Sequence, residues 1–164
     1  MSIGDAVARA RAYLTDHPDE ARYRDSAATA VLKSGLRVEV RGPGGEAIAT
    51  DMPAGIGGSA TAPSPGWLMR AAAASCVASL IAIRASSTGV EIGRIEVTVD
   101  SESDDRGILG LDDTIPAGAL SVSIEAAVEG SDRDRIVDVV DWAIAHCPVT
   151  DTIARAVPIK VVVR

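Results

Sequence analysis

The sequence predicts an α+β fold in which antiparallel sheets wrap around one long, buried central helix. Three observations predict this class. An apolar run, AAAASCVASLIAI at residues 71–83, has helix signals at both of its ends. Segments with strand-like alternation lie before and after that run, and the elements do not repeat as strand–helix–strand units. With 164 residues, the chain has the length of one ordinary domain.

The first expected element is a helix over residues 4–15, where apolar residues recur at helical spacing. We expect residues 1–27 to form an N-terminal helical extension and residues 28–164 to form the main domain. The role of the extension is open, because it either caps a dimer or covers a pocket. The opening residues lack the continuous apolar stretch of a secretory signal. We therefore expect a cytoplasmic protein.

Residues 28–51 predict strands joined by tight turns, including a GPGG turn at 42–45. A loop rich in Gly, Pro and small residues follows. Ser64 is then a suitable N-cap and the next residue is proline, which together predict a long helix from about 65 to 88. Gly89 provides the signal that ends this helix.

The second half of the chain predicts a strand beginning at Ile92 and another over 120–128, the latter with the clearest period-two alternation in the sequence. A helix capped by Ser131 follows, and Pro148 ends it. A further short helical turn and a terminal strand at 159–163 complete the predicted fold.

Composition excludes several classes of partner. The net charge is −7, and such a chain repels phosphate backbones and anionic membrane surfaces. The apolar run at 71–83 is bracketed by Arg70 and Arg84 and is shorter than the roughly 20 residues that cross a membrane. We expect neither nucleic acid nor a membrane as a partner.

The central helix is apolar on nearly every side, so one sheet face is not enough to cover it. Its run of alanines at 71–74 would let another backbone approach closely. A second copy of the same helix is the obvious candidate, and the sequence thus predicts a homodimer with this helix near the interface.

Two cysteines, Cys76 and Cys147, are the residues that could carry chemistry. Cys76 lies within the alanine-rich helix, where a cysteine often serves as a small apolar side chain. Cys147 lies where one helix ends and another begins, a position that stabilises thiolate. Two such thiols are either inert or a peroxidatic and resolving pair, and their spacing does not fix their distance in space.

The stretches SPGWLMRAAAASC and HCPVTDTI resemble the two motifs of the OsmC/Ohr family, the osmotically inducible and organic-hydroperoxide-resistance proteins. The resemblance covers most of the chain from about Ala28 onward. It implies an intertwined homodimer in which each active site is shared between subunits. It also implies that Cys76 is the peroxidatic cysteine and Cys147 the resolving one, with an organic hydroperoxide as substrate, a small dithiol as reductant, and neither a metal nor another cofactor.

The sequence departs from that pattern in the groups that activate the nucleophile. Family peroxidases carry a Glu directly after the helix-initiating proline, and this Glu pairs with an Arg of the preceding loop. Here Gly66 and Trp67 follow the proline, and Asp51 is the only charged residue between positions 48 and 65. Arg70 lies about 120° around the helix from Cys76. Other arginines that might reach across a dimer are Arg22, Arg24, Arg37 and Arg41.

His146, next to Cys147, is either a base or a histidine with only a structural role. A zinc site is not favoured, because the cysteines and histidines include no closely spaced ligand pair.

Two functional hypotheses follow. The first is thiol-dependent reduction of organic hydroperoxides through a Cys76/Cys147 redox pair. The second is a non-peroxidatic dimer of the same fold that binds a small apolar ligand or senses redox state.

Overall fold

The computed structural model of the protein describes residues 2–163 and divides into two compact units. One unit joins the chain up to Ala10 with the chain from Arg70 onward, and the other is Arg11–Met69. The predicted boundary at residue 27 concerns the extent of the family domain and stays a prediction. In chain order the helices and strands are α1 (Ile3–Asp16), β1 (Thr29–Ser34), β2 (Arg37–Arg41), β3 (Ala47–Thr50), α2 (Pro65–Thr88), β4 (Ile95–Glu102), α3 (Asp105–Ile108), β5 (Ser121–Val128), α4 (Arg133–Ala145) and α5 (Pro148–Ala154).

The predicted N-terminal helix is confirmed as α1, one residue longer at each end than expected. Ser2 and Asp5 begin it with reciprocal hydrogen bonds of 3.0 and 3.1 Å between backbone N–H and side-chain oxygen. Gly4 lets its first turn approach α2 closely, because a Cβ at this position would lie 3.0 Å from the carbonyl oxygen of Ser86. The helix has no fully buried residue.

Strands β1, β2 and β3 form an antiparallel sheet in that order. The predicted GPGG turn joins β2 to β3, with the Gly42 N–H donating to the carbonyl oxygen of Glu46 at 2.9 Å and Gly45 in the left-handed region at φ +92°. All six residues of β1 are exposed, including Leu32 at 62%.

The central helix α2 has the bounds that the sequence predicts. Ser64 caps it by accepting a hydrogen bond of 3.2 Å from the Trp67 N–H. At its end, Gly89 adopts φ +64° and the Val90 N–H donates to the Ala85 carbonyl oxygen at 3.0 Å. Only glycine accepts this left-handed conformation without strain, so Gly89 defines the end of the helix.

One stripe of α2 forms the centre of the core. Ala73, Val77, Ile81 and Ala85, spaced four residues apart, are 0 to 1% exposed. Val77, Ile81 and Ala85 lie in one apolar cluster with residues of β4, β5 and α4. By length and composition alone the 24-residue helix would be able to cross a membrane. Core helices of globular domains pass the same test, and this buried stripe is typical of a core helix.

Strands β4 and β5 pair antiparallel over eight residues, from Ile95 opposite Val128 to Glu102 opposite Ser121. The first of these strands begins at Ile95 and not at the expected Ile92. The chain leaves Gly89 in an irregular segment, and pairing starts only where β5 supplies partners.

Two further expectations are wrong. The N-cap of α4 is Asp132 instead of Ser131, and its carboxylate accepts a hydrogen bond of 3.1 Å from the Arg135 N–H. The expected terminal strand at 159–163 has no regular structure, and its apolar residues are 67 to 91% exposed. A strand needs a hydrogen-bonded neighbour, and no strand within residues 2–163 pairs with this segment.

The loop before α2 is organised by Asp51, which is 2% exposed. Its carboxylate accepts hydrogen bonds from the Thr61 N–H and hydroxyl at 3.1 and 2.8 Å, and from the N–H groups of Met52 and Ser59. The Thr61 donors hold the pKa of Asp51 below its usual value, although burial acts in the opposite direction. Arg37 donates to the Thr61 hydroxyl oxygen at 2.8 Å, so the loop is tied to β2 as well.

Two valines of α4 provide a matched test of the core. Val139 is 3% exposed and lies in the cluster, whereas Val137 is 45% exposed. Val139→Ala should lower the free energy of unfolding by about 2 kcal/mol through lost burial and a residual cavity. Val137→Ala should change it by less than about 0.5 kcal/mol. Urea denaturation measures both, and equal effects would contradict the assigned core.

The substitution Asp51→Asn tests whether the Asp51 carboxylate stabilises the loop before α2. Because the folded-state pKa of Asp51 is lowered, its stabilising contribution is complete above the unfolded value of about 3.9 and is lost as the pH falls through the folded value. The melting temperature of the variant should therefore lie below wild type at neutral pH and converge with it in acid. Asp113→Asn, at an exposed position, is the control and should track wild type throughout. A pH-independent difference for Asp51→Asn would refute this role of the carboxylate.

Candidate functional site

The two cysteines occupy different kinds of position. Cys76 lies in the middle of α2, and Cys147 lies at the junction between α4 and α5. Cys147 is the N-cap residue of α5, with Pro148 at the first helical position. Its N–H donates back to the Ile144 carbonyl oxygen at 3.4 Å, and its own carbonyl oxygen accepts from the Asp151 N–H at 2.9 Å. Its backbone is thus bonded to both helices.

The fold brings the two thiols into one cluster. Cys147 is fully buried within the apolar core, and the partly buried Cys76 packs against that core. Both are free thiols and are not at disulfide distance. Their roles as a redox pair stay a prediction.

Opposing influences act on the pKa of the Cys147 thiol. Burial raises the pKa of its thiol, but the Thr150 N–H, the neighbouring Cys76 thiol and the Val149 N–H outweigh burial, and the net pKa is lowered. The single hydroxyl proton of Thr150 already has the carbonyl oxygens of Ile144 and Cys147 as acceptors, at 3.1 and 3.0 Å. The backbone amides are therefore the donors that matter. The sulfur accepts no capping hydrogen bond, so the amides lower the pKa of the thiol only by lying near it.

The environment of Cys76 raises the pKa of its thiol. Burial and the adjacent Cys147 raise the pKa of the Cys76 thiol, and the Val149 N–H is the one influence that lowers it. The Val149 amide therefore acts on both thiols. Among the described residues from Arg70 onward, no cationic side chain lowers the pKa of Cys76. Of the two sulfurs, Cys147 is the one that this environment favours as thiolate.

The usual activating groups are absent from the start of α2. Gly66 and Trp67 occupy the first turn, and the Trp67 side chain is half exposed. Arg70 does not replace them, because its guanidinium donates to the Ser101 hydroxyl oxygen at 3.0 Å. Within this part of the chain, the structure therefore provides no substitute for the Glu and Arg that the sequence lacks.

His146 is engaged away from the thiols. Its ring stacks on Trp142 with centroids 4.2 Å apart, and Nδ1 lies 2.8 Å from the Trp142 carbonyl oxygen, which makes Nδ1 the protonated nitrogen. Arg84 lies over the same Trp142 ring at 4.9 Å. His146 affects the pKa of neither cysteine, so the geometry favours the structural interpretation of this residue.

Asp104, in the acidic stretch that follows β4, has a structural role. Asp104 caps α3 by accepting from the Arg106 N–H at 3.0 Å, and hydrogen bonds from the Arg106 side chain hold the pKa of Asp104 at about 2. Among residues 2–163, no group of three or more Cys, His, Asp or Glu side chains is arranged to hold a metal ion.

The sequence analysis expected a helix start that stabilises thiolate at Cys147, but it did not name the backbone amides of Val149 and Thr150. A signal was present, because Pro148 at the first helical position implies that the next N–H groups have no partner within the helix. The sequence did not reveal that the Val149 amide acts on both thiols, since that depends on the packing of α2 against the α4–α5 junction.

Solved structures share this fold. They include an OsmC-like protein of Mycoplasma pneumoniae, 15% identical with a TM-score of 0.68, covering 82% of this chain and 91% of that one. An organic hydroperoxide resistance protein, OsmC, of Legionella pneumophila is 21% identical with a TM-score of 0.63 and coverage of 80% and 90%. OhrB of Bacillus subtilis, an organic hydroperoxide resistance protein, is 21% identical with a TM-score of 0.52 and coverage of 78% and 89%.

No curated protein sequence matches the chain significantly. The family model described as OsmC-like protein matches residues 57–162. That range holds the whole of α2, both cysteines, the β4–β5 pair and helices α4 and α5. The match covers more than half of the chain and includes every element that builds the thiol cluster. This chain therefore belongs to the OsmC-like protein family.

Proposed function

We propose that this protein reduces organic hydroperoxides with Cys76 and Cys147 as its redox pair. The observation that carries the proposal is that two thiols from separate elements of the family domain meet in one buried cluster. Structural neighbours named as organic hydroperoxide resistance proteins support the same role. A small dithiol is the proposed reductant, and the cytoplasm the proposed location.

The reaction follows from the accessibility of the two sulfurs. Cys76 is the more exposed thiol, so it is the one that meets the hydroperoxide. Its sulfur attacks the distal oxygen, the O–O bond breaks, and the products are a sulfenic acid on Cys76 and an alcohol. Cys147 then attacks the Cys76 sulfur, a disulfide forms and water leaves. The small dithiol restores both thiols by exchange.

A second candidate function rests on the raised pKa of the Cys76 thiol. A thiol with an ordinary pKa of about 8.5 is only a few per cent ionised at neutral pH, and a raised pKa lowers that fraction further. A dimer of the same fold that binds a small apolar ligand, or whose thiols sense redox state, has no need of a fast nucleophile.

Oxidation by a stoichiometric amount of cumene hydroperoxide separates these candidates. The peroxidase should lose its two thiol hydrogens and yield a linked Cys76–Cys147 peptide in mass spectrometry. Cys76→Ser should abolish the reaction, and Cys147→Ser should leave a sulfenic acid that dimedone traps. The double variant provides the baseline. Oxidation no faster than that of free cysteine would refute the peroxidase, and the reverse pattern of the two variants would overturn the assigned roles.

We also propose that the functional unit is a homodimer. The face of α2 opposite its buried stripe carries small, exposed side chains, namely Ala72, Ser75, Ser79 and Ser86. Apolar, β-branched residues of the C-terminal segment 159–163 are exposed as well. Both surfaces have the composition of contacts made between subunits, close helix packing in one case and strand pairing in the other.

Light scattering at micromolar concentration should give a dimeric mass for the wild type. Val161→Asp introduces a charge into the exposed C-terminal segment and should shift the protein toward monomer, because a buried unpaired charge destabilises an interface. Val137→Asp, at an exposed valine of α4, should leave the mass unchanged. A monomeric wild type would contradict the proposal.

A further inference from the structure

We propose that the apolar face of α1 is an interaction surface for a second copy of the chain, and that α1 thereby completes the homodimer. This inference rests on the proposed homodimer. It concerns an element whose role the sequence left open and which lies outside residues 57–162, the range that the family model matches.

One side of α1 is apolar along the whole helix. Ile3, Val7, Ala10 and Leu14 recur at spacings of four, three and four residues, which places them on one face. Ile3 is 50% exposed and Leu14 is 44% exposed. The face is therefore long enough to pack against another element, but no residue of Ile3–Asp16 is buried.

A helix of this kind depends on packing for its stability. Isolated helices shorter than about 12–15 residues are marginal in water, and α1 has 14 residues. Its half-buried residues are Gly4, Ala6 and Val7, whereas every residue from 8 to 16 is exposed. The contacts present within residues 2–163 thus support the first turns of α1, and the apolar face continues beyond them.

The first turn of α1 lies beside the face of α2 that carries small, exposed side chains. The two backbones approach so closely that a Cβ at Gly4 would lie 3.0 Å from the carbonyl oxygen of Ser86, a residue of that face. Next to this contact, Ile3, Ala82 and Ile95 border an open groove of about 620 Å³. The groove has room for several side chains of a partner.

Continuity and charge favour a second copy as the occupant. The apolar face of α1, the groove and the small-residue face of α2 are neighbours, so a subunit that packs on α2 also reaches α1. In a two-fold dimer the same surface is buried on both copies. The two acidic and two basic residues of α1 sum to zero charge, so the helix lacks the cationic face with which interfacial helices bind anionic membranes.

Two alanines of α1 provide a matched test. Ala10 lies on the apolar face and Ala12 on the opposite side, and both are exposed. Ala10→Asp in the full chain should raise the dimer dissociation constant at least about tenfold, because the interface would desolvate an unpaired carboxylate. Ala12→Asp, which makes the same change in helix propensity, should leave the constant unchanged. Analytical ultracentrifugation over a range of concentrations measures both.

Hydrogen exchange of the wild type gives a second readout that needs no variant. The amides of residues 8–16 should be protected at concentrations above the dissociation constant and should exchange rapidly below it, because the second copy stabilises this part of α1. Protection of these amides that does not depend on protein concentration would overturn the inference.

The outcomes separate this inference from the proposed homodimer. A dimeric wild type whose dissociation constant is the same in Ala10→Asp and Ala12→Asp would refute the role of α1 and leave the homodimer in place. A monomeric wild type would refute both. Co-sedimentation of the wild type, but not of Ala10→Asp, with phosphatidylglycerol vesicles would assign the face to a membrane surface and overturn the inference.

Discussion

The packing of α2 against the α4–α5 junction is the contact on which the proposed chemistry depends. One stripe of α2 enters the core, and the same core holds the end of α4 through Val139, Ala143 and Cys147. Cys76 borders this buried stripe, because it follows Ala73 by three residues on the helix. The burial of Val77 and Ile81 therefore sets the position of the Cys76 thiol at the same time as it stabilises the fold.

That contact also explains why the two cysteines differ. A cysteine within a helix has no free amide nearby, since every N–H of the helix interior already has a carbonyl partner. A cysteine at the start of a helix faces several free amides. Cys76 and Cys147 exemplify these two cases, and packing places them side by side. This asymmetry in amide surroundings arises from backbone geometry.

Local signals were sufficient to predict much of this arrangement. Ser64, Pro65 and Gly89 bound α2 as expected because capping depends on adjacent residues. The expectation that Ser131 caps α4 was wrong, because the next residue, Asp132, is also a good N-cap and the turn geometry decides between them. The fourfold hydrogen bonding of Asp51 was not predictable, since it joins residues up to ten positions apart through the closure of a loop. The two cysteines were found from motif and chain position, but the approach of the Val149 amide to Cys76 depends on tertiary contacts.

The C-terminal segment has a consequence for the behaviour of the protein in a crowded cell. Ile159, Val161 and Val163 are highly exposed in a stretch without regular structure, with Lys160 as its single internal charge. Short, β-branched segments of this kind assemble into intermolecular β-structure when they lack a defined partner. Lys160 resists such stacking, because identical charges would lie directly above one another in an in-register assembly. The segment thus combines an aggregation-prone composition with one charge that opposes in-register stacking.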